Sequence, residues 1–223
     1  DRLRRHSDQV AFGVATGRSV DSARQRLKQF DVHDPDVIIA SAGSELYFGD
    51  HYGKGWGTHI AVGWQRDKIV KLLERMPFLR YQSQEGQGPF KISYQMEPDP
   101  DRLAEIHHQL LSNRCRCNLI YSRERYLDIL PYRASKGKAL RYLSYQWEIS
   151  LANFLACGDS GSDEDMLRGE PKAVVVANYS PELESLKGLR NIYFARQPYA
   201  AGILEAIEHY QFMQATTASV DTG

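Results

Sequence analysis

The sequence lacks any apolar run approaching the roughly 18 residues of a membrane span, and no signal peptide is read at its start, so a membrane-spanning or secreted protein is not expected. It also lacks an excess of either charge. Twenty-eight Lys and Arg stand against 28 Asp and Glu, a formal net charge of zero, so nothing favours a nucleic-acid partner, although a single pocket can still be basic. Cysteine is scarce: Cys115, Cys117 and Cys157 form an odd set without the four-ligand spacing of a zinc site. They are read as unbonded, which fits a reducing, cytoplasmic compartment. Internal repeats and low-complexity tracts are absent as well. What remains is the composition of a globular chain, 223 residues with 42% hydrophobic and 25% charged, long enough for one domain with an insertion or for two small ones.

Asp1–Gln9 reads as the charged end of a helix leading into an apolar strand, so the expectation is a fragment that starts in mid-helix. The strand Val10–Ala15 ends in Thr-Gly-Arg-Ser, and Val20, Ala23 and Leu27 then mark an amphipathic helix, which together make a βα unit. Asp36–Ala40 is a second buried strand, followed by Ser-Ala-Gly-Ser and a short strand at Glu45–Phe48. The same rhythm resumes at Lys136 with a helix carrying Ala139, Leu140 and Leu143. After it come the strand Asn153–Cys157, a short helix, the strand Ala173–Ala177, another helix, the strand Asn191–Ala195 and a last helix near Ala200–His209. Strands alternating with helices predict an α/β fold with a mostly parallel sheet.

Between the halves the pattern changes to helix (Asp67–Met76), strands (Leu79–Ser83, Phe90–Gln95), helix (Asp101–Leu111) and strands (Cys117–Tyr121, Tyr126–Leu130). This predicts a compact α+β insertion. The expected division is therefore a core over 1–52 and 132–212, an inserted cap over 53–131, and a disordered tail or linker over 213–223, where the residues are small, polar and without period.

In open parallel sheets ligands collect at the C-terminal ends of strands, where helix N-termini aim N–H groups at anions. Three polar clusters fall at such places. Thr16-Gly17-Arg18-Ser19 ends a strand with a hydroxyl, a glycine and a cation; it is either an anion loop or a turn with Ser19 as helix cap. Ser135-Lys136-Gly137-Lys138 puts a cation in the first turn of a helix, where the macrodipole disfavours it by about 0.3–1 kcal/mol. Either an anion lies nearby, which would let Lys136 bind phosphate, or Lys136 is solvated. Gly158-Asp159-Ser160-Gly161-Ser162-Asp163-Glu164-Asp165 supplies hard carboxylate ligands between a strand and a helix. One or two carboxylates beside a phosphate describe a Mg²⁺ site. Glu164 and Asp165 are also explained as complements to the helix N-terminus, whereas Asp159, which precedes the turn, is less well explained that way.

The tetrapeptide Gly158-Asp159-Ser160-Gly161 resembles the nucleophile segment of chymotrypsin-like proteases. Its setting between a parallel strand and a helix, with no histidine in a partner segment, argues against that chemistry. His107-His108 lies on an amphipathic helix with no third ligand in view and reads as surface.

Taken in order, Thr-Gly-Arg, Lys-Gly and Gly-Asp-x-x-x-Asp resemble the second, third and fourth motifs of the haloacid dehalogenase superfamily, with a cap inserted between the second and third. More narrowly, the chain resembles the sucrose-6-phosphate phosphatase family. The segments that carry this are Ala15-Thr16-Gly17-Arg18-Ser19, Gly43-Ser44-Glu45-Leu46-Tyr47, Phe90-Lys91-Ile92-Ser93-Tyr94, Leu127-Asp128-Ile129-Leu130-Pro131 and Gly158-Asp159-Ser160-Gly161. Tyr193-Phe194-Ala195 and Pro198–Glu205 are similar to the phosphatase-like C-terminal region of bacterial sucrose-phosphate synthases.

The resemblance implies a Rossmann-like core with an α+β cap, Mg²⁺ as cofactor and sucrose 6-phosphate as substrate. It implies that Thr16, with Gly17 and Arg18, holds phosphoryl oxygens, that Lys136 offsets charge on nucleophile and phosphoryl group, and that Asp159 binds Mg²⁺ with Asp163 supporting it. Ser162 stands in the phosphate-binding set where the family usually has asparagine, and it offers one donor in place of two. Ser44, Glu45 and Lys91 are the substrate-binding candidates, although Lys91 alternates with apolar neighbours and Glu45 begins a strand, so both also read as surface residues.

The family's first motif, Asp-x-Asp, is not in the sequence and is expected upstream of Asp1. Its first aspartate is the nucleophile that forms an aspartyl-phosphate, and its second is the general acid. This chain alone is therefore expected to be inactive. A strand missing from the middle of the sheet should leave a break between strands, since unpaired central strands strand their N–H and C=O groups. A second reading is a non-catalytic, phosphatase-like regulatory domain of a sucrose-phosphate synthase, whose glucosyltransferase part, acting on UDP-glucose and fructose 6-phosphate, lies outside this chain.

Overall fold

A computed structural model describes residues 4–213, apart from the side chains of Arg4 and Glu85. The expectations for Asp1–Leu3 and for the tail beyond residue 213 lie outside the described residues.

The first half of the core is β1 (Gly13–Ala15), α1 (Val20–Gln29), β2 (Val37–Ala40), β3 (Glu45–Phe48) and β4 (His51–Tyr52). They pair in the order β1-β2-β3-β4, with β1 parallel to β2 and the later pairs antiparallel. β1 is shorter than its apolar run suggested. The ladder begins at Gly13 opposite Val37, and just before it the Asp36 carboxylate accepts the Phe12 N–H at 2.8 Å, closing the pairing off. β2 is buried throughout because both of its faces are covered. Val37 and Ile39 enter the main core, while Ile38 and Ala40 meet Val20 of α1 on the other side. Each such isoleucine contributes about 1.5–3 kcal/mol by leaving water.

The chain then forms α2 (Lys54–Ala61), α3 (Arg66–Leu73), β5 (Arg80–Tyr81), β6 (Ile92–Gln95), α4 (Pro100–Ser112), β7 (Cys117–Ser122) and β8 (Tyr126–Pro131). The four strands make an antiparallel sheet, β5-β6-β8-β7. Alternation sorts its faces. Ile92 and Tyr94 of β6 and Leu127 and Ile129 of β8 join Ile69 and Leu73 of α3 and Ile106 and Leu110 of α4 in a second core. α4 starts where the sequence signals it, with Asp99 capping the N–H groups of Asp101 and Arg102 and Pro100 in its first turn. α2, by contrast, packs Trp56 and Ile60 into the main core.

The second half of the core comprises α5 (Lys136–Trp147), β9 (Leu155–Gly158), α6 (Glu164–Leu167), β10 (Lys172–Val175), β11 (Ile192–Phe194) and α7 (Tyr199–His209). Its strands are parallel in the order β11-β10-β9. The helix expected between β10 and β11 is a 3-10 stretch, Pro181–Leu186.

Among the described residues no ladder joins β1 to β9. Yet the two half-sheets share one hydrophobic cluster that takes Val37 and Ile39 from β2, Ala139, Leu140 and Leu143 from α5, Ala156 from β9 and Ala173 and Val175 from β10. They are two pieces of one layer, with the expected break between them. The strands that face the break show it in their burial: Gly13 of β1 is exposed and only Ala156 of β9 is fully buried. No described helix is long and apolar enough to cross a membrane, and all three cysteines are unbonded.

Candidate active site

The N-terminus of α5 is the anchor of the site. Ser135 caps it, its hydroxyl accepting from the Lys138 N–H at 3.0 Å and donating to the Asp165 carboxylate. Gly43, with φ +98°, lies so close beneath that a Cβ there would collide with the backbone of Ser135 and Lys136. Lys136 is buried in this first turn, and the anion that such a placement calls for is present. Its ammonium donates to Asp163 Oδ1 at 2.6 Å and to Ser162 Oγ at 2.9 Å. The other oxygen of Asp163 accepts from the Asp159 N–H at 3.1 Å, the Ser160 N–H at 3.2 Å and the Ser160 hydroxyl at 3.3 Å. Asp163 therefore shapes the whole loop after β9.

Asp159 is arranged differently. Its backbone carbonyl accepts from the Ser180 N–H and hydroxyl, while its side chain, about one-third exposed, meets only Arg123 Nη2 among the described residues, at 3.0 Å. A hard divalent cation takes one or two carboxylates together with waters and phosphate oxygens. Asp159 fits such an ion as one ligand, whereas both oxygens of Asp163 are already engaged. No group of three or more metal-ligating side chains occurs among the described residues.

The loop after β1 lies across from it. The Thr16 N–H donates to Ile39 O at 2.8 Å, its carbonyl accepts from the Ala42 N–H, and its hydroxyl accepts from the Arg18 N–H at 3.2 Å. Ser19 caps α1 by accepting from the Ser22 N–H, so this segment is a helix cap as well as a loop with a hydroxyl at a strand end. Arg18 is exposed and donates to Ser22 Oγ at 3.3 Å. From the antiparallel sheet, Lys91 reaches over to donate to Gly17 O at 2.9 Å.

These groups line one cavity of about 950 Å³. Thr16, Gly17, Arg18, Lys91, Lys136, Asp159, Ser162 and Asp163 all contribute to its wall. Ser44 and Glu45 do not. The Ser44 hydroxyl donates to Ser41 O at 3.0 Å, and Glu45 accepts from the hydroxyls of Ser41 at 3.0 Å and Tyr47 at 3.3 Å. Burial and the neighbouring Glu45 push the Tyr47 phenol up to about 12. The wall also includes residues that sequence reasoning did not single out, Arg123 and Asp128 among them. Asp128 carried a signal, a carboxylate inside the apolar run Leu127–Leu130; Arg123 sits in a turn whose position is set only by the fold.

A family model described as sucrose-6F-phosphate phosphohydrolase matches residues 1–211. The chain is 32% identical over 209 residues to sucrose-phosphatase 1 of Nicotiana tabacum, covering 88% of this chain and 49% of that protein. It is 30% identical over 209 residues to a glucosylglycerol-phosphate synthase of Pseudomonas anguilliseptica, covering 92% of this chain and 27% of the synthase. Among solved structures it is similar to the sucrose-phosphatase of Synechocystis sp. PCC6803 in complex with sucrose and phosphate, with a TM-score of 0.92 and 32% identity over 96% of this chain and 89% of that one. The chain spans about half the length of the curated sucrose-phosphatases it matches.

Proposed function

Since the chain belongs to the sucrose-6F-phosphate phosphohydrolase family, we propose that it is the hydrolase part of a Mg²⁺-dependent phosphomonoesterase that converts sucrose 6-phosphate and water to sucrose and phosphate through an aspartyl-phosphate. The observation that carries this reading is the convergence of Thr16, Lys136 and Asp159 on a single cavity at the C-terminal ends of β1 and β9. Thr16 and the N–H groups of its loop hold phosphoryl oxygens. Lys136, drawn to the cavity wall by Asp163 and Ser162, offsets negative charge on the nucleophile and the phosphoryl group. Asp163 acts by shaping the loop that presents Asp159. When bound, Mg²⁺ would be held by Asp159 and supply positive charge to the phosphoryl oxygens.

The reading assigns the nucleophile to an Asp-x-Asp strand upstream of Asp1, seated between the open edges of β1 and β9. A carboxylate oxygen of its first aspartate bonds to phosphorus as the ester oxygen leaves with a proton from the second. Water then hydrolyses the aspartyl-phosphate. The core is assigned to 1–52 and 132–212, the cap to 53–131, and the compartment to the cytoplasm. A fused or associated glucosyltransferase is a compatible partner, which the similarity to a synthase supports.

The test is phosphate release from sucrose 6-phosphate, with and without Mg²⁺, by protein extended upstream of Asp1 and by its Asp159→Asn variant. Release should need Mg²⁺, the upstream aspartates and Asp159. No turnover by the extended protein with both aspartates intact refutes the reading.

A further inference from the structure

The antiparallel sheet turns one face to its own apolar core and the other to the cavity, and the cavity face is polar. Lys91 and Ser93 alternate with the buried Ile92 and Tyr94, and Asp128 alternates with Leu127 and Ile129. Ser93 stands directly opposite Asp128 in the ladder, so the two side chains emerge together, and the Ser93 hydroxyl donates to Asp128 Oδ1. The other oxygen of Asp128 lies 3.4 Å from the Lys91 ammonium. Gln87 fixes Ser93 in turn, accepting from its N–H at 3.0 Å and donating to its carbonyl at 2.9 Å. Lys91, Ser93 and Asp128 are 6%, 0% and 7% exposed, so this is a buried, oriented charge pair.

Such a pair is poor scaffolding. Well-packed apolar residues in its place are often neutral or stabilising, so stability does not account for it. Its placement does. The Lys91 ammonium carries three protons. One goes to Gly17 O in the loop beside Thr16, one faces Asp128, and the third has no acceptor among the described residues. Lys91 and Asp128 both line the cavity wall.

We propose that Asp128 is a positioning residue that sets the selectivity of the cavity for an uncharged, hydroxyl-rich leaving group. It holds the Lys91 ammonium with one N–H free for a sugar oxygen, and it cancels the lysine charge, so that a second anionic group gains nothing by entering. This rests on the sucrose 6-phosphate reading and assigns to one residue the selectivity of that site. A lone lysine at this depth would instead attract a second phosphate.

Binding tests this without turnover. Dissociation constants for sucrose 6-phosphate and for fructose 1,6-bisphosphate are measured by calorimetry on wild-type protein and on Asp128→Asn, Lys91→Gln and the double variant. Asp128→Asn should shift selectivity toward the bisphosphate by about tenfold. Lys91→Gln should shift it the other way, and the double variant, neutral again, should return toward wild type. If Asp128→Asn does not fold, Lys91→Gln against the double variant carries the same comparison, because the double variant leaves no unpaired charge. Selectivity that stays constant across folded variants overturns the role of Asp128 and leaves the substrate reading standing. Failure of the wild-type protein to bind sucrose 6-phosphate overturns the substrate reading and, with it, this proposal.

Discussion

Replacing Lys136 by methionine should destabilise the protein by about 3 kcal/mol, and replacing Asp163 by alanine should cost more. The two residues are each 4% exposed and joined by a 2.6 Å contact, and removing one partner of a buried pair costs about 3–5 kcal/mol because the survivor stays charged and dry. In Lys136→Met the survivor is Asp163, whose Oδ2 keeps three donors while Oδ1 loses its only ammonium. That retained solvation puts the cost at the low end of the range. In Asp163→Ala the ammonium keeps only the Ser162 hydroxyl, and the N–H groups of Asp159 and Ser160 lose their acceptor. At about 1–3 kcal/mol for each buried group left unmatched, the total reaches about 5 kcal/mol or more. The double variant removes both charges, so it should lie well short of the sum, with a coupling of about 2 kcal/mol. Urea unfolding midpoints with unchanged slopes measure all three. At about 2–4 °C per kcal/mol for a chain of this size, Lys136→Met should melt about 6–12 °C lower. A Lys136→Met protein within about 1 kcal/mol of wild type, or strictly additive single variants, would show that the pair is solvated and that Lys136 is not held at the cavity as described.

Asp165 is held below its ordinary value of 3.8. Burial alone would raise it, but hydrogen bonds from Ser135 and Arg141 and the Arg141 charge outweigh burial. A carboxylate depressed in the folded state contributes stability that is present above its unfolded value and lost as the pH falls through its folded value. Wild-type protein should thus lose stability on acidification below about pH 4 more steeply than Asp165→Asn, and identical acid titrations would contradict the pairing. Gly43→Ala should be the most damaging single methyl in the core: φ of +98° disfavours any side chain by about 1–2 kcal/mol, and the added carbon runs into the Ser135 backbone, so soluble yield should collapse. Arg123→Ala should change stability by less than about 1 kcal/mol, since its side chain is 60% exposed where it meets Asp159. A larger loss by thermal melting would mean that this contact holds the β7–β8 turn in place.

The sequence showed most clearly those elements whose burial is complete on both faces. β2 reads directly from Asp-Val-Ile-Ile-Ala, because a strand covered on both sides has no polar alternation to confuse it. α2 was not visible, since Gly55 and Gly57 lower helix propensity across an eight-residue segment and the helix is secured instead by burying Trp56 and Ile60. The stretch after β10 is expected as a helix, but it is short and opens on Pro181, and it closes as a 3-10 turn. In the site, Thr16, Lys136, Asp159, Ser162 and Asp163 were legible because their chemistry sits at strand ends and helix starts, which local sequence reveals. Arg123 and Asp128 reach the cavity only through the approach of the antiparallel sheet to the core; Asp128 is marked locally by its place in an apolar run, but nothing local marks Arg123. Ser44 ends the turn after β2 and Glu45 opens β3, and their polar atoms hydrogen-bond to Ser41 rather than facing the cavity.

With no ladder between β1 and β9, the relation of the half-sheets among the described residues rests on side-chain packing and on one helix end. α5 contributes Ala139, Leu140 and Leu143 to the cluster that both halves share. Its first turn is wedged between them: Gly43, from the loop after β2, abuts Ser135 and Lys136 on one side, and Gly137 abuts the Asp165 backbone on the other. Lys136 and Ser135 then bond to Asp163 and Asp165, on the side of the loop after β9. The polar contacts that shape the cavity are thus the contacts that set the spacing of the strands beside it. The buried lysine, disfavoured by the helix macrodipole, is stable there because the opposite loop supplies the charge it lacks. A substitution at this helix end therefore acts twice, once on the wall of the cavity and once on the distance between β1 and β9, and its effect on ligand binding should exceed its effect on any single contact.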